Sequence, residues 1–256
     1  MKKILARLFF TISLVVFGAV SSVQATMIFS QNDYTCGWEK YTAYEALTKQ
    51  NSYEIGMNLA VYAAGNTTNI SFGQLNYGGD WYTDIAEGSL TGLQSHIQGQ
   101  LPTATVIVDD NLSFDELANV KLVIMAGHNA FNISATDTGK LKTWIDGGGV
   151  LFVDDCNNVA ASPFLTSFNT LINNMYGITN AGLTTLPASH LLYSSYYTLD
   201  GSDFSYTAAG NGTQWWTLPL RGYENHPNQT TVPEPATMLL LGIGLMGLAG
   251  IRRKMK

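Results

Sequence analysis

The residues best suited to chemistry stand at the ends of three apolar runs. Asp109-Asp110 closes "TATVIVDD", Gly127-His128 closes "VKLVIMAGH", and Asp154-Asp155-Cys156 follows "VLFV". In open α/β sheets, ligands bind beyond the carboxyl ends of the strands. Two chemistries are conceivable there. Cys156 or Asp155 could serve a hydrolytic or amidotransferase-like reaction, with His128 or His190 as the base. A nucleophilic thiolate needs such a base and a lowered pKa. Asp154 and Asp155 beside the sulfur oppose that by like charge, and "DDCNN" lacks the small glycines that let a nucleophile turn sharply. A buried thiol, or half of a disulfide, is the plainer role for Cys156. Alternatively, Asp154, Asp155 and Asn157, with Asp109, Asp110 and Asn111, offer oxygen ligands to a hard cation such as calcium. Their spacing matches no calcium loop, and an acid after a strand commonly caps the next helix. Calcium is the one cofactor the residues suggest.

Other titratable and aromatic residues have competing structural roles. A histidine at a strand end, such as His128 or His190, often just bonds backbone; in a cleft it becomes a functional candidate. His96 and His226 read as surface residues. Tyr77, Trp81 and Tyr82 cluster near Asp80; Tyr193, Tyr196 and Tyr197 follow His190; Trp215-Trp216 lies further on. Exposed rings beside an acid, as in Asp80-Trp81, suit sugar stacking, although filling a core is the commoner use of a large aromatic.

The elements that must position these residues are legible in outline. The three apolar runs read as buried strands. "SATDTGKLKTWIDGGG" reads as a helix opened by Ser134 and Asp137 in a capping-box-like pair. Its Leu141, Trp144 and Ile145 share one face, and Gly147 to Gly149 end it. Residues 162–177 read as a second helix, with Pro163 at its first position and Gly177 at its end. Short unbroken apolar strands alternating with helices predict an α/β domain with a mainly parallel sheet covered on both faces. "GNTTNIS" (residues 65–71) reads as a turn-rich joint after an N-terminal segment, 26–70, whose structure stays open.

Four stretches carry a resemblance: "FGQLNYGGDWYTD", "KLVIMAGHNAFNIS", "LKTWIDGGGVLFVDDCNN" and "LTTLPASHLLYSSYY". In this order they resemble a bacterial domain family of unknown function with a glutamine-amidotransferase-like fold. The resemblance spans about Phe72 to Tyr223. It implies a flavodoxin-like three-layer domain over residues 71–223, and it implies fold more firmly than activity.

Both ends of the chain concern location. Lys2, Lys3 and Arg7, then the apolar Leu8 to Val20, then Val23-Gln24-Ala25 form the layout of a secretory signal peptide, residues 1–25, cut after Ala25. The Sec machinery and a signal peptidase are its partners. At the other end, after a linker at 224–231, residues 232–256 hold Val232-Pro233-Glu234-Pro235, a charge-free run from Ala236 to Ile251, and the basic Arg252, Arg253, Lys254 and Lys256. As a helix that run would reach roughly 24 Å, short of a bilayer core of about 30 Å. The basic end stays cytoplasmic by the positive-inside rule. The three parts in this order resemble the PEP-CTERM sorting signal of Gram-negative bacteria. That resemblance implies a transmembrane helix removed by an exosortase-type membrane transpeptidase, usually in bacteria that make exopolysaccharide and biofilm matrix. An ordinary anchor that is never cut is the alternative.

Residues 26–231 hold six basic and 18 acidic residues, a net charge of −12. Such a surface repels nucleic acid and anionic headgroups. Cations, neutral sugars and protein are the remaining partners. Cys36 and Cys156 form an even pair, which in an oxidising compartment invites a disulfide; bridged and unbridged forms both stay open. The expectation is an exported surface or matrix protein without catalysis, binding carbohydrate or a cation at the strand ends. The alternative is the enzyme described above.

Overall fold

A computed structural model describes residues 25–31, 34–38, 46–78, 89–156, 161–187, 189–199, 206–207, 214–215 and 220–225. Five parallel strands form most of its sheet: β1 (Ala25–Ser30), β2 (Asn69–Leu75), β3 (Thr105–Leu112), β4 (Leu122–Gly127) and β5 (Val150–Asp155). Two further strands are β6 (Thr184–Thr185) and β9 (Arg221–Asn225), with a separate two-residue pair, β7 (Tyr206–Thr207) and β8 (Gln214–Trp215), between them in the chain. The order across the main sheet is β3-β2-β4-β5-β1-β9-β6. β9 runs antiparallel to β1, and β6 pairs antiparallel with β9.

The helices are α1 (Ala46–Ala64), α2 (Ser89–Gln100), α3 (Ala135–Asp146) and α4 (Pro163–Tyr176). Alternating residues of the strands feed two cores. Ile28, Phe72, Ile124 and Phe152 pack with Ile55 and Leu59 of α1 and Leu93 and Ile97 of α2. Met27, Val123, Met125 and Val153 pack with Leu141 and Ile145 of α3 and Phe164, Phe168 and Ile172 of α4. Every residue of β4 and β5 is buried, as a strand covered on both faces requires.

Local signals account for several boundaries. The Ser134 hydroxyl accepts the Asp137 N–H at 3.1 Å and caps α3. Ser162 caps α4 by accepting the Leu165 N–H at 2.8 Å, Pro163 opens that helix, and Gly177 ends it at φ 70°, a left-handed conformation that favours glycine.

Two features depart from or extend the sequence expectation. β3 does not stop at Asp109-Asp110 but runs on to Leu112. Among the described residues it is an edge strand, partnered only by β2, so polar residues cost little on its open side and charge there discourages edge-to-edge pairing. Residues 26–70 supply β1, α1 and the start of β2. β1 lies inside the sheet between β5 and β9, and the turn at 65–68 joins α1 to β2 of that same sheet, with Asn66 Oδ1 accepting the Thr68 and Asn69 N–H groups at 2.9 and 2.8 Å. Residue 71 lies within β2.

Candidate functional site

β1, β4 and β5 are neighbours at the centre of the sheet, and the register sets their carboxyl ends side by side. Ser30 of β1 and Ala126 of β4 lie opposite Asp154, and Gly127 lies opposite Asp155. The Cys156 N–H continues the ladder to the Gly127 carbonyl at 3.2 Å. His128, Asp155 and Cys156 are therefore brought together at adjacent strand ends.

The acids are turned inward. Asp154 and Asp155 are both fully buried. Asp154 Oδ2 accepts the Thr35 N–H at 2.9 Å and the Thr35 hydroxyl at 3.0 Å. These bonds fix the turn after β1 over the end of β5. Asp155 Oδ2 accepts the Ser162 hydroxyl at 2.7 Å and the Gln31 amide at 3.2 Å. Ser162 thus relays the strand end to the first turn of α4: its oxygen takes the Leu165 N–H while its proton goes to Asp155. Cys156 is 8% exposed and belongs to the α1–α2 core. Its sulfur lies 3.7 Å from the Thr35 hydroxyl and 3.8 Å from the Asp154 carbonyl.

The floor beside this cluster is aromatic. Tyr77, just past β2, is buried and donates to the Ala126 carbonyl at 2.6 Å. Its ring packs on Phe131 at 5.0 Å and Phe164 at 6.2 Å. Tyr77 is therefore a core residue. Asp80, Trp81, Tyr82, Asn157, Trp216 and His226 lie outside the described residues, as do residues 1–24 and 226–256.

The other candidates are placed apart. Asp109 and Asp110 sit on edge strand β3, three strand spacings from β5, or about 14 Å. Asp109 Oδ1 accepts the Asn111 N–H at 3.0 Å, a local turn bond. A cation site shared by both acid pairs is not assembled, because β2 and β4 intervene. Among the described residues, no group of three or more His, Cys, Asp or Glu side chains gathers closely enough to hold a metal ion.

His190 is also remote from Cys156. Its ring packs against Tyr62 at 5.5 Å, in the last turn of α1, the end that leads down to the start of β2. That is the opposite end of the sheet from the thiol. His190 Nδ1 accepts the Leu192 N–H at 3.2 Å and caps a short 3-10 turn. Burial pushes the neighbouring Tyr193 phenol up to about 12. His96 is half-buried rather than a surface residue. It stacks on Tyr53 at 4.9 Å and meets the Tyr197 hydroxyl at 3.4 Å. Burial holds its imidazole below the ordinary value, with the Glu54 charge opposing.

Thr35, Gln31 and the Ser162–Asp155 relay were not legible in the sequence. Ser162 carries a cap signature, but its bond to Asp155 does not. Thr35 and Gln31 lie 119 and 124 positions from the acids they bond, and no local pattern marks them.

Comparison with known proteins bears on both ends of this picture. A search of curated proteins found no match. Residues 231–254 match the PEP-CTERM protein-sorting motif, which implies export, exosortase-mediated processing and membrane-associated sorting toward the cell surface. Among the described residues no helix is long and apolar enough to cross a membrane; the charge-free run 236–251 lies outside them. Residues 71–236 match a domain of unknown function, DUF4159, and on that match, which spans more than half its length, the chain belongs to the DUF4159 family.

Proposed function

We propose that this protein is sorted by an exosortase to the cell surface or the exopolysaccharide matrix, and that its α/β domain is a binding or structural module without catalysis. One observation carries the second half. The side chains that chemistry would need, Asp154, Asp155 and Cys156, are buried and bonded by Thr35, Gln31 and Ser162 of the same chain. They act as rivets between β1, β5 and α4. The −12 charge of residues 26–231 favours neutral sugars or cations as matrix ligands. The strand order supports a flavodoxin-like description. β2 to β5 follow the first four places of the 2-1-3-4-5 order, and β1 takes the fifth.

A hydrolytic or amidotransferase-like activity is the second reading. It is favoured by the register that sets His128 beside Asp155 and Cys156; His190 has no part in it. It predicts cleavage of an amide, ester or glycoside that Cys156→Ala and His128→Ala abolish without altering the melt.

The sorting half is tested in the source bacterium with the double variant Pro233→Ala, Pro235→Ala. The natural protein is expected at the surface, with an intact mass ending near the Pro-Glu-Pro site. The variant is expected to stay in the inner-membrane fraction with Ala236–Lys256 attached. A natural protein that keeps its tail overturns the reading.

A further inference from the structure

We infer that Cys36 and Cys156 are the two halves of a disulfide that locks the turn after β1 onto the end of β5. The inference rests on the export that the sorting motif implies, and on a juxtaposition that sequence separation conceals. The cysteines are 120 positions apart, but β1 and β5 are hydrogen-bonded neighbours, with Ser30 opposite Asp154. Beyond those partners the two chains stay in contact. Thr35 bonds Asp154 through its N–H and its hydroxyl, and that hydroxyl lies 3.7 Å from the Cys156 sulfur. Cys36 is the next residue, with its Cα about 3.8 Å from that of Thr35. It opens the 3-10 turn Cys36–Trp38. That turn is held down by Trp38, fully buried, whose indole N–H donates to the Ser52 carbonyl at 2.6 Å and whose ring lies 6.1 Å from Phe152 of β5. Both cysteines therefore belong to one corner of the fold, and a bridge needs Cα atoms within about 7 Å.

Oxidation requires a partner, and the class is a dithiol–disulfide oxidoreductase of the export compartment. One cysteine thiolate attacks the carrier's disulfide, forms a mixed disulfide and expels the carrier's first thiolate. The second cysteine thiolate then attacks the sulfur of the first, forms the Cys36–Cys156 bond and expels the carrier's second thiolate. Two electrons pass to the carrier, and the two protons released by the cysteines end on its thiols. Cys156 is 8% exposed in the folded chain, so the exchange takes place before α1 closes over β5. The bridge fits a fold whose corner is otherwise held by a few polar bonds, and it removes Cys156 as a nucleophile.

The test uses the full protein from the source bacterium, denatured in iodoacetamide without reductant and weighed intact. A chain that begins at Thr26, carries no adduct and is lighter by two hydrogens is the expected result. After reduction it takes two adducts, and its melting temperature falls by roughly 10 °C, as closing so long a loop predicts. A chain that begins at Thr26 with two adducts overturns the bridge and leaves export standing. A chain that still begins at Met1 overturns the cut after Ala25 instead. That sample is then treated with diamide: a monomer without adducts retains the pairing, and two remaining adducts overturn it.

Discussion

At the scale of single residues, Thr35 matters more than any of the acids the sequence advertises. Its two bonds to Asp154 Oδ2, with the Gln31–Asp155 bond, link the segment after β1 directly to the end of β5. Thr35→Val keeps the shape but leaves a buried carboxyl short of a hydroxyl donor. Losing such a bond and stranding its partner costs about 2 kcal/mol. Urea denaturation should show that loss as a lower midpoint with an unchanged slope, and Thr35→Ser should restore most of it. His96 makes a different prediction. Burial holds its folded pKa below the ordinary value near 6.5. The unfolded chain therefore binds the proton more readily than the folded one, and stability rises with pH across the window between the folded value and about 6.5. Acidification from pH 7 should lower the melting temperature, and His96→Gln should flatten that dependence. A parallel acid slope in both proteins would put the sensitivity elsewhere.

At the scale of elements, sequence legibility followed the range of the interactions. α3, α4 and β5 were readable because Ser134, Ser162, Pro163 and Gly177 act within a turn of themselves, and because β5 is apolar throughout. β1 was not. "ATMIFS" abuts the apolar leader and carries no boundary of its own, and the strands that make it β1 begin at Val150 and Arg221. The acids of the candidate site were legible in type and in strand, while their inward bonds depended on residues more than a hundred positions away. α2 shows the same limit in its glycines. Gly92 is buried, and a Cβ there would press into the Trp38 carbonyl; at Gly99 a Cβ meets open space. Gly92→Ala should destabilise by about 2 kcal/mol through the backbone shift it forces. Gly99→Ala should stabilise by about 0.5 kcal/mol through helix propensity. Opposite signs from one substitution in one helix, read by thermal melts, would confirm that α2 is docked on the Trp38 turn.

At the scale of the whole molecule, the register of β1 and β9 has a consequence for processing. Ala25 lies opposite Asn225, and Thr26 opposite Glu224. The first residue of β1 and the last of β9, beyond which the sorting motif follows in sequence, therefore lie side by side, at the end of the sheet opposite His128, Asp155 and Cys156. A cut after Ala25 places the new terminus at the first residue of a strand flanked on both sides, and Thr26 is 3% exposed. A signal peptidase acting there would need that stretch extended and accessible, that is, before β1 docks between β5 and β9. The strand itself is then indispensable. A chain beginning at Thr26 should fold, whereas one beginning at Gln31 lacks the partner that joins β5 to β9. It exposes two strand edges and the faces that bury Met27, Ile28 and Phe29. That shortened chain should be recovered unfolded or aggregated, with its far-ultraviolet circular dichroism collapsed. A cooperative melt from the Gln31 chain would mean that the sheet closes β5 directly onto β9, and that the family-matched stretch from residue 71 folds without the strand that precedes it.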